Sequence, residues 1–324
     1  MSDKILEVSD LQIRYVTDEE TVRAVNGVSF TLERGESIGL VGETGAGKTT
    51  TALGIMGLVP DPPGEIVGGS ILFEDQDLLK LPEKQMREIR GGKISMIFHD
   101  PMTSLNPVMT VGAQIAEVVL LHNKISKAEA RERAKEMLEQ VGIPGSRCDD
   151  YPHQFSGGMK QRVMIAIALA CSPELLIADE PTTALDVTIQ AQVLELMRNL
   201  KKEYNTSLVL ITHDLGVVAK ICDKVAVVYA GEIIESGTLK DIYTDKRHPY
   251  TIGLFESLPD IENDAATLKV IQGSVPDPSN LPEGCKFNPR CPYATEACRS
   301  GDIKPVKISD THMVRCNRFS DTEV

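Results

Sequence analysis

The sequence predicts an α/β protein with a largely parallel core sheet, and three observations carry this prediction. Residues 37–41 form a short apolar run that is followed by a glycine-rich loop and a helix-forming stretch. Residues 175–180 form a second apolar run that ends in two acids, a pattern typical of a central strand buried on both faces. From residue 173 to about residue 229, predicted strands and helices alternate, as they do in parallel sheets covered by helices.

The glycine-rich loop fits G-x-x-x-x-G-K-[ST], the phosphate-binding P-loop, in the strand–loop–helix context that the motif needs. Its glycines allow backbone N–H groups to curl around phosphate oxygens, and the following helix N-terminus adds partial positive charge. Lys48 is expected to reach the β- and γ-phosphates of a nucleotide, and the Thr49 hydroxyl to ligate Mg²⁺. The predicted nucleotide-binding residues of this loop are Gly42, Glu43, Thr44, Gly45, Ala46, Gly47, Lys48, Thr49 and Thr50.

Asp179 and Glu180 end the second apolar run. Ligands of open α/β sheets bind at the carboxyl ends of the strands, so Asp179 is expected to hold Mg²⁺, through water, as a Walker B acid does. Glu180 is expected to act as the general base for the attacking water. Two solvated acids at a strand end are the alternative, and the presence of the P-loop weighs against it.

Residues 155–162 read F-S-G-G-M-K-Q-R, just before a helical run. Here the chain resembles the ATPase subunits of ABC transporters, whose signature is L-S-G-G-Q. Phe155 and Met159 depart from that signature, whereas the Ser-Gly-Gly core remains. The resemblance implies that Ser156, Gly157, Gly158 and Met159 contact the γ-phosphate of ATP held by another subunit. It also implies an ABC ATPase domain with a mixed core sheet, an antiparallel β subdomain and a helical subdomain at about 100–160.

Three further residues match positions of that family. Ala184-Leu185-Asp186 matches the D-loop, which places Asp186 at the subunit interface. His213 follows a predicted strand and matches the switch histidine, which contacts the γ-phosphate and orients the catalytic base. Tyr15 resembles the aromatic residue that stacks on adenine, although it could equally pack against its own sheet.

His99 stands where the family usually has the glutamine of the Q-loop. Mg²⁺ prefers oxygen ligands, so an imidazole nitrogen is a poorer ligand than the usual amide oxygen. We therefore expect weaker coupling of Mg²⁺ at His99, or coordination through an intervening water.

Composition limits the partners of the chain. It has 324 residues, which favours two domains, and a formal net charge of −13, which argues against broad nucleic-acid binding.

No apolar run approaches the roughly 18–20 residues that span a bilayer. The first residues, M-S-D-K-I-L-E, show no secretory signal. We expect a peripheral protein at the cytoplasmic face of the cell membrane, with the spanning done by other subunits.

The predicted organisation is an ATPase domain over residues 1–259 and an extension over residues 260–324. Ser126 and Glu129 form a capping box that opens a helix. A later amphipathic helix presents one apolar face, formed by Val193, Leu194, Met197 and Leu200. The chain has one P-loop and one signature, so the resemblance implies a second ATPase subunit, with two nucleotides held between head-to-tail partners. The resemblance favours a different chain as that second subunit.

The extension is a proline-rich, loop-rich segment that carries four of the seven cysteines. Their spacing is C-x5-C-x6-C-x17-C, wider than the tight pairs typical of structural zinc. A [4Fe–4S] cluster with Cys₄ ligation is the favoured interpretation, with zinc and no metal as alternatives. Cys148, Cys171 and Cys222 are expected to be buried or incidental. The predicted cluster ligands are Cys285, Cys291, Cys298 and Cys316.

The extension and the R-H-P-Y-T segment at 247–251 narrow the resemblance to the dipeptide/oligopeptide (and nickel) importer ATPases. That family implies an Mg²⁺-dependent ATPase that drives uptake through two transmembrane permease subunits, with an extracytoplasmic substrate-binding protein as an indirect partner. A soluble, non-transport ABC ATPase and a regulatory or electron-transfer module built on the cysteines are the alternatives. The residues do not indicate whether the transported solute is a dipeptide, a longer peptide or nickel.

Overall fold

The computed structural model describes residues 3–183, 185–257 and 270–320. By its contacts the chain divides into two compact units. The first comprises Met1–Leu6, Thr31–Ser37 and Leu72–Ile211, and the second comprises Glu7–Phe30, Ile38–Ile71 and Thr212–Val324. The predicted domain boundary at residues 259 and 260 lies outside the described residues.

Strands form where apolar residues alternate or run together. The strands of the described residues are β1 (Lys4–Val16), β2 (Thr21–Glu33), β3 (Ser37–Val41), β4 (Gly64–Phe73), β5 (Gln76–Asp77), β6 (Ile94–Ile97), β7 (Leu175–Asp179), β8 (Ser207–Thr212), β9 (Lys224–Tyr229), β10 (Glu232–Thr238), β11 (Val306–Lys307) and β12 (Met313–Val314).

Helices alternate with these strands, as predicted for the segment after residue 173. The α-helices of the described residues are α1 (Lys48–Met56), α2 (Glu83–Ile89), α3 (Pro101–Ser104), α4 (Val111–His122), α5 (Lys127–Gln140), α6 (Gly157–Leu169), α7 (Val187–Tyr204), α8 (Leu215–Ile221), α9 (Leu239–Thr244) and α10 (Pro249–Glu256).

The first unit contains a parallel sheet in the order β6-β7-β8. Every residue of β7 is buried, which confirms the prediction of a central strand that ends at Asp179. Helices α4 and α5 lie in the segment predicted as the helical subdomain, and they pack on each other and on α6. The predicted capping box opens α5, where the Ser126 hydroxyl accepts from the Glu129 N–H at 3.2 Å and the Glu129 carboxylate accepts from the Ser126 N–H at 2.7 Å.

The second unit contains a mixed sheet in the order β3-β9-β10-β12-β11, in which only the β3–β9 pair is parallel among the pairs described. Strands β3 and β9 carry mostly buried apolar side chains. The two short strands of the C-terminal extension add to the edge of β10, with Val314 opposite Glu235. The extension is therefore part of the same sheet as the strand that precedes the P-loop.

A buried carboxylate fastens the extension to the rest of the second unit. Glu235 is fully buried and accepts from the backbone N–H groups of Arg247 at 2.6 Å and His248 at 2.9 Å. Nε2 of His312, on the loop between β11 and β12, lies 2.8 Å from the same carboxylate. The buried carboxylate therefore has three hydrogen-bonding partners, as buried polar groups require.

In the part of the chain that the structure describes, no helix is both long enough and apolar enough to span a membrane.

Candidate functional site

The predicted P-loop has the local structure that its motif requires. Strand β3 ends at Val41, the loop follows, and α1 begins at Lys48 with Gly47 as its N-cap residue. Gly47 has a φ of 94°, and a Cβ at that position would lie 2.2 Å from the Ala24 carbonyl oxygen. A side chain at Gly42 would lie 2.1 Å from the Val228 carbonyl oxygen. Both glycines are therefore required by close backbone approach.

Lys48 lies inside this loop. Its side chain is buried, and Nζ donates to the carbonyl oxygens of Gly42 at 2.8 Å and Glu43 at 2.9 Å. The Thr51 hydroxyl donates to the Gly47 carbonyl at 2.9 Å and fixes the first turn of α1. The loop thus holds a buried ammonium group at a helix N-terminus, a combination that suits phosphate.

Glu43 of the P-loop is held by two residues from far along the chain. Its backbone N–H donates to the Tyr250 hydroxyl at 2.9 Å. Its carboxylate receives both terminal nitrogens of Arg290, Nη1 at 2.7 Å and Nη2 at 3.1 Å. Hydrogen bonding to Glu43 raises the pKa of Arg290, and burial raises the pKa of Tyr250. No local sequence pattern indicates these contacts, because Arg290 lies 247 positions from Glu43.

The predicted Mg²⁺ ligand Asp179 and the predicted general base Glu180 lie in the first unit. Asp179 is the last residue of β7 and is buried. Glu180 follows with a φ of 47°, its N–H donates to the Ile211 carbonyl at 2.8 Å, and its carboxylate accepts from the Thr183 hydroxyl at 2.9 Å. Positive φ is costly for a residue with a side chain. The hydrogen bonds to Ile211 and Thr183 therefore hold Glu180 in a backbone conformation that is unfavourable by itself.

His99 lies beside the predicted general base. Its Nδ1 is 3.5 Å from Oε2 of Glu180, and its side chain is 55% exposed. The structure therefore brings together the Q-loop residue and the acid that the sequence placed in separate roles. A protonated His99 would form an ion pair with Glu180, which a glutamine at this position could not do.

The signature residues open α6 and line a cavity in the first unit. Ser156 is the N-cap of α6, and its hydroxyl accepts from the Met159 N–H at 3.4 Å. Asp186 caps α7 in the same way, through the Ile189 N–H at 2.9 Å. The cavity has a volume of about 540 Å³. Its lining includes the predicted residues Ser156, Gly157, Gly158, Met159 and Asp186, together with Arg162, Leu185 and Ile189.

One arginine accommodates both departures from the usual signature. The Arg147 guanidinium lies 4.3 Å from the centre of the Phe155 ring, and its Nη1 lies 3.6 Å from the sulfur of Met159. Arg147 is fixed in turn by Asp150 at 2.7 Å. Phe155 and Met159 are therefore packed against a cation that both can contact favourably.

Tyr15 and His213 lie in the second unit with the P-loop. Tyr15 is half-buried on β1, and a Cβ at Gly64 would lie 3.0 Å from its ring, so packing against its own sheet is compatible with its position. His213 directly follows β8 and is exposed. Ala184 of the predicted D-loop lies outside the described residues.

The four cysteines of the extension influence one another electrostatically. The pKa of Cys285 is raised to about 11, mainly by burial and to a smaller extent by the neighbouring thiols of Cys316, Cys291 and Cys298. The Cys285 N–H also donates to the Cys298 carbonyl at 2.9 Å. Across the residues described, however, no three His, Cys, Asp or Glu side chains are arranged to hold a metal ion. The donor type suits an iron–sulfur cluster, whereas the present arrangement of the thiols does not form a ligand set.

The other cysteines agree in part with their prediction. Cys148 and Cys222 are buried, and Cys171 is half-buried just beyond the end of α6. Burial raises the pKa of both Cys148 and Cys171, as expected for thiols without a reactive role.

Two family models match the chain. The model described as ABC transporter matches residues 25–183. The model described as Oligopeptide/dipeptide transporter, C-terminal region, matches residues 234–298. The first match contains the P-loop, the two acids and the signature, and the second contains three of the four C-terminal cysteines.

Curated relatives are similar over nearly the whole chain. The oligopeptide transport ATP-binding protein AppD of Bacillus subtilis (strain 168) is 52% identical, with 98% of this chain and 97% of the relative covered. The dipeptide transport ATP-binding protein DppD of Escherichia coli (strain K12) is 47% identical, with 97% and 96% covered.

Among solved structures, the ATP-binding cassette MJ0796, in a dimeric post-hydrolysis state bound to ADP and Pi, is similar. It has a TM-score of 0.66 and 27% identity, with 72% of this chain and 98% of that chain covered.

Proposed function

The chain belongs to the ATP-binding subunits of ABC-type peptide transporters, and from this premise we propose how its residues share the work of ATP hydrolysis. It has the fold of an ABC ATPase and is the ATP-hydrolysing subunit of a peptide importer.

Nucleotide binding is assigned to the P-loop. The buried Lys48 ammonium, now bonded to two loop carbonyls, would exchange them for the β- and γ-phosphate oxygens, while the backbone N–H groups of residues 42–50 surround the phosphates. Tyr15 would stack on adenine. This buried lysine at the start of α1 is the observation that carries the functional assignment. Lys48→Ala should abolish binding of ATP to the purified chain, measured by equilibrium dialysis, and retention of binding would contradict it.

Mg²⁺ would be held by the Thr49 hydroxyl and, through water, by Asp179, with His99 as a doubtful ligand because its nitrogen already faces Glu180. Oxygen donors are the ones Mg²⁺ prefers, so Thr49 and Asp179 fit the ion. The ion would neutralise charge on the phosphates of the bound nucleotide.

Catalysis is assigned to Glu180 as general base and His213 as the residue that contacts the γ-phosphate. The positive φ of Glu180 and its hydrogen bond to Thr183 hold its carboxylate ready to accept a proton from water. Glu180→Gln keeps the shape and removes the base. It should bind ATP normally but lower the rate of hydrolysis by at least about 100-fold, and normal turnover would remove the assignment.

The active assembly is proposed to be a head-to-tail dimer of two different ATPase subunits. Ser156, at the positive end of α6, lines the signature cavity and would contact the γ-phosphate of the nucleotide that the partner holds. Two permease subunits in the membrane would convert closure of the dimer into uptake, so the chain would lie at the cytoplasmic face. Purification of the chain with permease subunits from native membrane would support this assembly.

Within peptide uptake, the transported solute is proposed to be a di- or oligopeptide, on the basis of the relatives' names. The nickel alternative that the sequence left open finds no support in those names. A [4Fe–4S] cluster on the four C-terminal cysteines remains a proposal, with zinc or no metal as alternatives. Its support is the spacing of the cysteines and the mutual influence of their thiols. The thiols would have to approach one another and lose their protons to ligate it.

A further inference from the structure

A buried arginine of the extension binds a residue of the P-loop. The Arg290 side chain is only 4% exposed and binds the Glu43 carboxylate through two nitrogens. Nη1 lies 3.3 Å from the Tyr229 hydroxyl, and the guanidinium lies 5.8 Å from the centres of the Tyr229 and Phe287 rings. A two-pronged arginine–carboxylate pair whose arginine is buried has a defined geometry, unlike a flexible ion pair on the surface.

The segment that carries Arg290 is itself ordered by hydrogen bonds. The Arg290 N–H donates to the Phe287 carbonyl at 3.0 Å, and the Asn288 N–H donates to the Cys285 carbonyl at 2.9 Å. Nε of Arg290 donates to the Gln272 carbonyl at 3.1 Å. The arginine is thus fixed in a turn between Cys285 and Cys291, and its position depends on the folding of the cysteine-bearing loop.

Hydrogen bonds that meet at Glu43 link Arg290 to Lys48, the predicted phosphate-binding lysine. Arg290 holds the side chain of Glu43, the Tyr250 hydroxyl holds its N–H, and Nζ of Lys48 donates to its carbonyl oxygen. Release of Glu43 from Arg290 would allow its backbone to shift, together with the carbonyl oxygen that accepts from the Lys48 ammonium. It would also leave the Glu43 carboxylate without its cation beside the predicted phosphate-binding residues, which disfavours an anionic ligand.

We propose that Arg290 is a positioning residue for ATP binding, through which the folded cysteine-bearing extension fixes Glu43 and holds the P-loop ready for phosphate. The inference rests on the proposed nucleotide-binding role of the P-loop. It predicts that loss of the Arg290 side chain weakens ATP binding although Arg290 does not touch the nucleotide. If only about a tenth of the molecules then keep the binding-competent loop, the apparent Kd for ATP rises about tenfold.

The test measures the Kd of a fluorescent ATP analogue for the full chain and its variants. Arg290→Ala should bind about tenfold more weakly, and Arg290→Lys, which keeps the charge but not the two-pronged geometry, about threefold more weakly. Arg318→Ala is the matched control, because Arg318 lies in the same extension and stacks on the Tyr293 ring at 4.2 Å. It should bind like the wild type.

Hydrogen–deuterium exchange of residues 42–48 provides the second measurement. Both Arg290 variants should exchange these amide protons faster than the wild type, whereas Arg318→Ala should not. A purely structural role would lower the thermal midpoint and leave ATP affinity and P-loop exchange of the folded protein unchanged, and that result would overturn the proposal. Arg290→Lys, the milder change, gives the answer if Arg290→Ala does not fold.

Lys48→Ala separates this inference from the function on which it rests. If Lys48→Ala loses ATP while both Arg290 variants keep wild-type affinity, only the role of Arg290 is wrong. If Lys48→Ala also binds ATP normally, the role of the P-loop itself is wrong.

Discussion

Acid should destabilise the protein through one buried histidine, His248. It is the N-cap of α10, where its Nδ1 accepts from the Tyr250 N–H at 3.1 Å. The proton of the neutral ring therefore sits on Nε2, a buried atom that has no hydrogen-bond partner among the residues that the structure describes. A second proton on Nδ1 would oppose the Tyr250 N–H and place a cation in a fully buried site. Burial accordingly lowers the pKa of His248 to about 3.

The sign of the effect follows from which state binds the proton. In the unfolded chain the imidazole has its ordinary pKa of 6.5, so between that value and about 3 the unfolded state binds more protons than the folded state. Stability is then lost as the pH falls through this window. From about pH 7.5 to about pH 4.5, His248 alone should lower the free energy of unfolding by roughly 3 kcal/mol.

The assay compares urea unfolding at these two pH values for the wild type and for His248→Asn. Asparagine can cap α10 through its side-chain oxygen but does not titrate, so the variant should lose about 3 kcal/mol less than the wild type on acidification. Exposed His153 gives a matched control, and His153→Asn should follow the wild type. Equal losses in wild type and His248→Asn would refute the reasoning.

Further predictions follow from three other positions and from the extension. Glu235→Ala leaves the backbone N–H groups of Arg247 and His248 and the His312 ring without their acceptor, and should cost about 2–4 kcal/mol in urea unfolding; a loss below about 1 kcal/mol would contradict its anchoring role. Gly47→Ala should abolish ATP binding, since its Cβ would lie 2.2 Å from a carbonyl oxygen; wild-type affinity would count against the close approach. His99→Gln removes the imidazole beside Glu180 and should raise Mg²⁺ affinity or the rate of hydrolysis, and no change in either would argue against the interpretation of this position. Anaerobically purified protein should contain iron and acid-labile sulfide and absorb near 400 nm, whereas a colourless protein with one zinc per chain would overturn the cluster.

Local sequence was enough to predict the elements whose structure is set by neighbouring residues. The capping box at Ser126, the buried strand that ends at Asp179 and the helix that follows the signature all formed where predicted. The predicted apolar face of α7 is also confirmed, because the same four side chains are buried: Val193, Leu194, Met197 and Leu200. Periodicity and capping are short-range signals, and they can be read without knowing the rest of the fold.

Contacts between distant segments could not be predicted in this way. The proximity of His99 to Glu180 joins residues that the sequence had assigned to separate roles. Arg147, which contacts both unusual signature residues, carries no motif. The spacing of the four cysteines indicated a metal site, yet the described thiols do not form a ligand set, because spacing along the chain does not fix distances between loops.

The sequence by itself determined the chemistry available to this protein, since glycines, a lysine, two acids and a serine at fixed spacing define phosphate binding and hydrolysis. Only the tertiary structure decided that the C-terminal extension contacts the P-loop. It adds two strands to the edge of β10 and places Arg290 against Glu43, a pairing across 247 positions that no local pattern specifies. The physical reason is that burial and the geometry of a two-pronged ion pair depend on how the whole chain packs.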